Sequence, residues 1–200
     1  KKDYARRLRF CIKHLHDDPR KFIFSDEVVV TTNHGLKRRQ WVRIGSSAES
    51  RERRRWPDAR VMVWGCIGYG WRFICVVKGT ICAESYISQC LQKVVHHIKT
   101  KRLVLQQDGA KCHTARRTKT FLAENGVSVM EDWPAHSPDL NVIENLWPHL
   151  KHRVGVLCPT QEGLGRAVIK AWKEIPQEQI NNLILDFPQR LRRCASTHGE

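Results

Sequence analysis

Tyr4, Leu8, Cys11, Ile12 and Leu15 recur at helical spacing with Arg and Lys between them, which predicts an amphipathic helix over 3–16, stopped by Asp17-Asp18-Pro19. Phe22-Ile23-Phe24 and Val28-Val29-Val30 then flank Ser25-Asp26-Glu27, a strand pattern with a carboxylate embedded in it. Residues 31–60 turn polar and basic and read as an exposed arm or long hairpin, with a short strand candidate at Trp41 to Ile44. Val61 to Ile67 and Phe73 to Val77 lie on either side of Gly68-Tyr69-Gly70-Trp71 and form a candidate antiparallel pair. Ile87, Leu91, Val94, Val95 and Ile98 return to helical period, and Leu103-Val104-Leu105 gives a buried strand that runs out in Gln106-Gln107-Asp108. A helix over 114–124 ends at Asn125-Gly126, and Val127 to Met130 makes a fifth strand.

Ser137-Pro138-Asp139 has the form of an N-cap, a first-turn proline and an acidic first turn, so a helix is expected from there through Leu140, Ile143, Leu146 and Leu150. Pro148 cannot sit inside a continuous helix without clashing with the carbonyl of residue 144. The helix is therefore expected to kink or restart just after Glu144. Two shorter helices are expected to follow, over Thr160 to Lys173 and from Pro176 through Ile184.

Composition narrows the function. Two hundred residues, 41% of them hydrophobic, suit one domain with a core and exclude a disordered tail. Thirty-five Lys plus Arg against 20 Asp plus Glu leave a formal charge of +15, so the expected partner is a polyanion, with nucleic acid first. The longest nearly uncharged apolar stretch, Val61 to Trp71, is 11 residues with three glycines, too short for a membrane helix, and Lys1-Lys2-Asp3 opens no secretory leader. The eight cysteines include no C-x-x-C pair, which argues against a zinc finger, and are read as reduced thiols of an intracellular protein.

Three carboxylates stand where solvation alone does not account for them: Asp26 inside the first strand, Asp108 at the end of the fourth and Glu144 in the helix after the fifth. If the first and fourth strands are neighbours, Asp26 and Asp108 approach each other and Glu144 reaches them from a helix over the sheet. Three such oxygen ligands suit hard divalent cations. Glu27 points to the opposite face from Asp26 and is not expected to be a ligand. Asp132 and Asp139 are set aside for the third position, Asp139 as a helix-dipole partner.

The residues around these positions carry a resemblance. Phe24-Ser25-Asp26-Glu27, Val61-Met62-Val63-Trp64-Gly65-Cys66, Gln106-Gln107-Asp108, Cys112-His113-Thr114-Ala115 and the long block Asp132-Trp133-Pro134-Ala135-His136-Ser137-Pro138-Asp139-Leu140-Asn141-Val142-Ile143-Glu144-Asn145-Leu146-Trp147 resemble the catalytic domain of Tc1/mariner-type transposases, with 35 residues between Asp108 and Glu144. The resemblance covers essentially the whole chain. It implies an α/β, RNase H-like fold with a five-stranded mixed sheet flanked by helices. It also implies a catalytic triad of Asp26, Asp108 and Glu144 holding two Mg²⁺ (or Mn²⁺) ions, Asp26 bridging both, Asp108 on one and Glu144 on the other. The implied activity is cleavage of transposon ends and transfer of their 3′-hydroxyls to target DNA, in a homodimer and in the nucleus. The basic segment 31–60 corresponds to a clamp-like insertion. The family's N-terminal helix-turn-helix modules have no counterpart in this sequence, so weak site selection is expected. Gly109-Ala110-Lys111 after Asp108, and Val142 in place of a proline, depart from the family pattern. A catalytically silent DNA-binding remnant is the alternative; a non-transposing RNase H-like nuclease fits the fold but not the Ser137 to Trp147 block.

Candidate DNA contacts are Lys37, Arg38, Arg39, Arg51, Arg53, Arg54 and Arg55 in the basic segment, and Lys111, His113, Arg116 and Arg117 after Asp108. For His113, contact with a phosphate, orientation of an active-site group and a plain capping or packing role all stay open. Trp64, Trp133 and Trp147 are read as core aromatics, whereas Trp41 and Trp56 fall in the basic segment.

Overall fold

A ten-residue strand, β1 (Phe22–Thr31), runs through the centre of the protein and organises everything else. It pairs antiparallel with β2 (Arg60–Gly68), which pairs antiparallel with β3 (Trp71–Val77). On its other side β1 is parallel to the short β4 (Val104–Gln106), and β4 is parallel to β5 (Ser128–Val129). The resulting order is β3-β2-β1-β4-β5, a mixed five-stranded sheet in which the first and fourth strands are neighbours. The structure is a computed structural model that describes residues 3–32, 59–157 and 163–200. The basic segment's strand candidate at Trp41 to Ile44, its seven candidate DNA contacts and Trp56 lie outside the described residues.

Both faces of the sheet are covered, which explains the near-continuous apolar runs of β1 and β2. Phe22, Phe24, Val28 and Val30 of β1, with Val63 and Ile67 of β2, face a layer made of α1 (Tyr4–His14), α6 (Leu146–Leu157), α7 (Leu164–Glu174), α8 (Gln177–Leu185) and α9 (Phe187–Ser196). Ile23, Trp64, Cys66 and Leu105 face the other layer. That layer holds α2 (Ala83–Tyr86), a π-helical turn at Ile87–Leu91, α3 (Gln92–Thr100), α4 (Lys111–Thr114) and α5 (Arg116–Glu124). Even and odd positions of β1 thus look into different layers. Among the described residues no helix is long and apolar enough to cross a membrane, and the seven described cysteines are unpaired.

Two expectations need correction. No helix begins at Ser137: residues 138–140 form a turn, a 3₁₀ turn follows at Val142–Asn145, and α6 starts only at Leu146. The capping groups are engaged elsewhere. Arg7, fully buried in α1, donates to Ser137 Oγ at 2.5 Å and grips Asp139 through both guanidinium nitrogens at 3.1 and 2.6 Å, so Asp139 is an ion-pair partner and not a helix-dipole acid. The restart after Glu144 is present, because Pro148 becomes the third residue of α6, where a backbone N–H has no intrahelical partner. The second correction is α9, which follows the two helices expected at the C-terminus. Its Pro188 stands in the first turn, where proline is accommodated, and Phe187, Leu191 and Cys194 supply its buried face.

Candidate active site

The parallel register of β1 and β4 ends with Phe24 opposite Gln106. Asp26, in the middle of β1, and Asp108, just past the end of β4, each lie two residues beyond that pair. Ser25 ties the middle of β1 to the end of β4: its N–H donates to Gln106 Oε1 at 3.2 Å and its hydroxyl to the Gln106 carbonyl at 2.6 Å. Asn141, also buried, donates to the Ser25 carbonyl at 3.1 Å and anchors the segment leading to Glu144 against the same point of β1.

Asp26 looks into the layer of α6. Its cross-strand partner is Gly65, and a methyl group at Gly65 would meet Trp147 Cη2 at 2.7 Å, so this glycine makes room for the Trp147 ring. Trp147 lies across that gap and its indole N–H donates to Asp26 Oδ2 at 2.8 Å. Burial pushes the Asp26 carboxyl up to about 7 against the pull of the Trp147 N–H, and the charge of nearby Glu144 adds to the rise. Among the described residues neither Asp26 nor Glu144 has a cationic side chain paired with it. Arg190 of α9 holds the turn that carries Glu144, donating to the Asp139 carbonyl at 3.0 Å and to Asn145 Oδ1 at 2.8 Å. Sequence reading took Trp147 for a core aromatic only. Its place three residues after Glu144, in a block already singled out, was the available signal.

Asp108 is held differently. Its Oδ1 accepts the Ala110 N–H at 2.9 Å and the His113 Nδ1 at 2.7 Å, while His113 Nε2 reaches Glu27 Oε1 at 3.0 Å. The imidazole is buried against the Tyr86 ring, 4.4 Å between centroids. Burial disfavours its charged form, but the hydrogen bonds to Asp108 and Glu27 outweigh this and push His113 up to about 10. The His113 hydrogen bond in turn holds the Asp108 carboxyl below its ordinary value. This corrects the expectation of a DNA contact at His113: only 2% exposed, it faces two carboxylates and cannot reach a phosphate. Glu27, on the other face of β1 as expected, is the far end of this bridge.

Of the remaining candidates, Lys111 and Arg116 are exposed around α4 and the start of α5, with no ion pair among the described residues, and Arg117 is paired with Glu84 at 2.6 Å. Among the described residues no three His, Cys, Asp or Glu side chains stand close enough to hold an ion between them. Asp26, Asp108 and Glu144 thus lie around the junction of β1 with the end of β4 but, among the described residues, are not drawn into a closed cage. The donor set still fits a hard cation: all three are carboxylates, Asp26 and Glu144 repel each other without a compensating cation, and nothing described donates to Asp108 Oδ2.

Residues 21–159 match the model of the DDE superfamily endonuclease family. The chain belongs to that family. The Tc3 transposase of Caenorhabditis elegans is 29% identical over 203 residues, which cover 97% of this chain and 61% of that protein, so the chain spans less than two thirds of that relative's length. Among solved structures, the Mos1 transposase paired-end complex with left transposon end aligns with 98% of this chain and 62% of its own at a TM-score of 0.81 and 20% identity. The Mos1 transposase catalytic domain with Raltegravir and Mg aligns with 99% of this chain and 96% of its own at 0.73 and 18%. These likenesses establish the RNase H-like fold. The matched segment includes all three carboxylates, whereas α9, which holds the Glu144 turn through Arg190, lies outside it.

Proposed function

We propose that this chain is the catalytic domain of a Tc1/mariner-type DNA transposase that cuts element ends and joins their 3′-hydroxyls to target DNA. The observation that carries the reading is the junction of the central strands. An aspartate of β1, an aspartate just past the neighbouring parallel strand β4 and a glutamate whose segment Asn141 ties to β1 lie around one junction, in a chain of the DDE endonuclease family. Asp26, Asp108 and Glu144 are the residues that would hold divalent cations, two Mg²⁺ or Mn²⁺ ions. Two such ions, when bound, supply an activated hydroxyl on one side of a phosphodiester and charge stabilisation for the leaving oxygen on the other.

The chain's own residues prepare this. The Trp147 N–H fixes the direction of Asp26, Asn141 and Arg190 fix the Glu144 turn from its two sides, and His113 keeps Asp108 ionised. Lys111 and Arg116 lie exposed beyond Asp108 and meet the DNA backbone, while the surplus of +15 offsets the repulsion between DNA and three acids. DNA is the substrate, and two copies of the chain act together on a pair of ends. The lack of a closed cage favours, in one respect, the reading of a silent DNA-binding remnant. An assay of nicking and strand transfer on supercoiled DNA with Mg²⁺ or Mn²⁺ separates the two. The transposase reading expects nicked and joined products from the wild type and none from Asp108→Asn. Products that survive the substitution overturn the triad, and DNA binding without products in either protein favours the remnant.

A further inference from the structure

Glu27 is an acid next to the proposed metal ligand Asp26, yet alternation along β1 sends it through to the opposite face of the sheet. There it does not meet solvent freely. It receives the Nε2 of a histidine whose other nitrogen is bonded to Asp108, so a carboxylate–imidazole–carboxylate bridge runs from β1 to the end of β4, with legs of 3.0 and 2.7 Å. The bridge is held by the layer of α2 and α4. His113 sits in α4, its ring lies against Tyr86, and Tyr86 donates to Gln107, the residue before Asp108, at 3.0 Å. Gln107 also reaches the His113 carbonyl at 3.5 Å. A buried imidazole bonded at both nitrogens in this way has one low-energy orientation, because rotating the ring takes both of its nitrogens from their carboxylates.

We propose that Glu27 and His113 are positioning residues for the metal site: the bridge occupies Asp108 Oδ1 and so presents Oδ2 alone to the cation, and it ties the position of Asp108 to the strand that carries Asp26. This rests on the reading of Asp108 as a ligand. The bridge does for a carboxylate ligand what a hydrogen-bonded outer partner does for a ligating histidine, fixing its direction before the ion arrives. Glu27 acts through His113 and does not touch the ion.

The test is a titration of the chain with Mn²⁺, read as loss of the free-ion electron paramagnetic resonance signal in the absence of DNA. Thermal melting of each variant reports whether it is folded. Glu27→Ala is expected to weaken Mn²⁺ binding by about tenfold, the lower range for loss of an outer partner. Glu27→Gln keeps an acceptor for Nε2 and is expected to recover most of that loss, a rescue that a purely space-filling role does not predict. His113→Gln is expected to weaken binding about as much as Glu27→Ala, and the double variant no more than either alone, since both break one bridge. If Glu27→Ala does not fold, His113→Gln and Glu27→Gln carry the same comparison. Wild-type affinity in folded Glu27→Ala or folded His113→Gln, with Asp108→Asn weakened, overturns the bridge and leaves the triad standing. Wild-type affinity in Asp108→Asn overturns the ligand assignment and the bridge with it.

Discussion

Asp26 and Asp108 occupy equivalent places on adjacent parallel strands, and the fold treats them in opposite ways. Asp26 is half-buried with Glu144 nearby, has a neutral donor in Trp147 and is pushed up to about 7. Asp108 is more exposed, has an imidazole and a backbone N–H on one oxygen, and is held below its ordinary value. One side of the site accumulates negative charge that a cation would relieve, and the other is neutralised and oriented in advance. A site with two halves of this kind need not be a closed cage before the ion binds, because only the Asp26–Glu144 side has a charge deficit to satisfy.

The comparison breaks first under loss of the ligands. Asp26→Asn, Asp108→Asn or Glu144→Gln should each lower cleavage about a thousandfold, the rate equivalent of about 4 kcal/mol of charge stabilisation. Equal activity in any one of them, measured by product formation at saturating Mg²⁺, would remove that residue from the site.

Perturbing one half through its packing should cost less. Gly65→Ala puts a methyl 2.7 Å from the Trp147 ring, so the ring must move and Asp26 loses its N–H. Overpacking of this kind costs about 1 to 3 kcal/mol of stability. Cleavage is expected to fall about tenfold, equivalent to loss of about 1.4 kcal/mol, in line with one hydrogen bond. Trp147→Phe should reproduce the loss of activity with a smaller loss of stability; a variant as active as wild type would show that the N–H plays no part in orienting Asp26.

The two halves also differ in pH response in chelator, without metal. Asp26, raised from 3.8 to about 7, contributes stability that is complete below about 4 and lost as pH rises to about 7. His113, raised from 6.5 to about 10, contributes stability that is present below about 6.5 and lost as pH rises through about 10. Asp108, held low, contributes with the reverse sign, its share being lost as pH falls below the ordinary carboxylate range. Melting temperatures across this range should lose the lower slope in Asp26→Asn and the upper slope in His113→Gln. A wild-type profile in either variant would contradict the assigned shift.

The smallest effect is expected at Arg190, which touches the Glu144 turn without touching Glu144. Arg190→Met removes the hydrogen bonds to the Asp139 carbonyl and Asn145 and the ion pair with Asp186, and should raise the Mn²⁺ needed for half-saturation only a few-fold, the equivalent of about 1 kcal/mol. An effect as large as that of Glu27→Ala would mean that the Glu144 side depends on its outer support as much as the Asp108 side does.

Much of this was legible in the sequence because it depends on local pattern. The strand around Asp26, the β2–β3 pair and the restart after Glu144 follow from side-chain period and from what proline forbids. The three acids stood out because each interrupts an apolar element. What sequence could not supply were long-range partners. Arg7 looks like one more base on an amphipathic helix, yet it is buried and closes on Ser137 and Asp139, which is why no helix begins there. In the sequence His113 fits a phosphate contact, an orienting group or a capping residue alike, until β1 brings Glu27 to its far side. Strand alternation puts Glu27 on the face opposite Asp26, and the same alternation sends it to the histidine.

The account stands most directly on where the metal goes and what holds its ligands. X-ray diffraction from crystals of the chain soaked in Mn²⁺, recorded at the manganese edge, locates the ions without reference to activity. Manganese peaks contacted by Asp26, Glu144 and Asp108 Oδ2, with His113 still between Asp108 Oδ1 and Glu27, are the predicted result. Manganese bound away from these carboxylates, or Asp108 coordinating through Oδ1 with His113 released from the bridge, would contradict it.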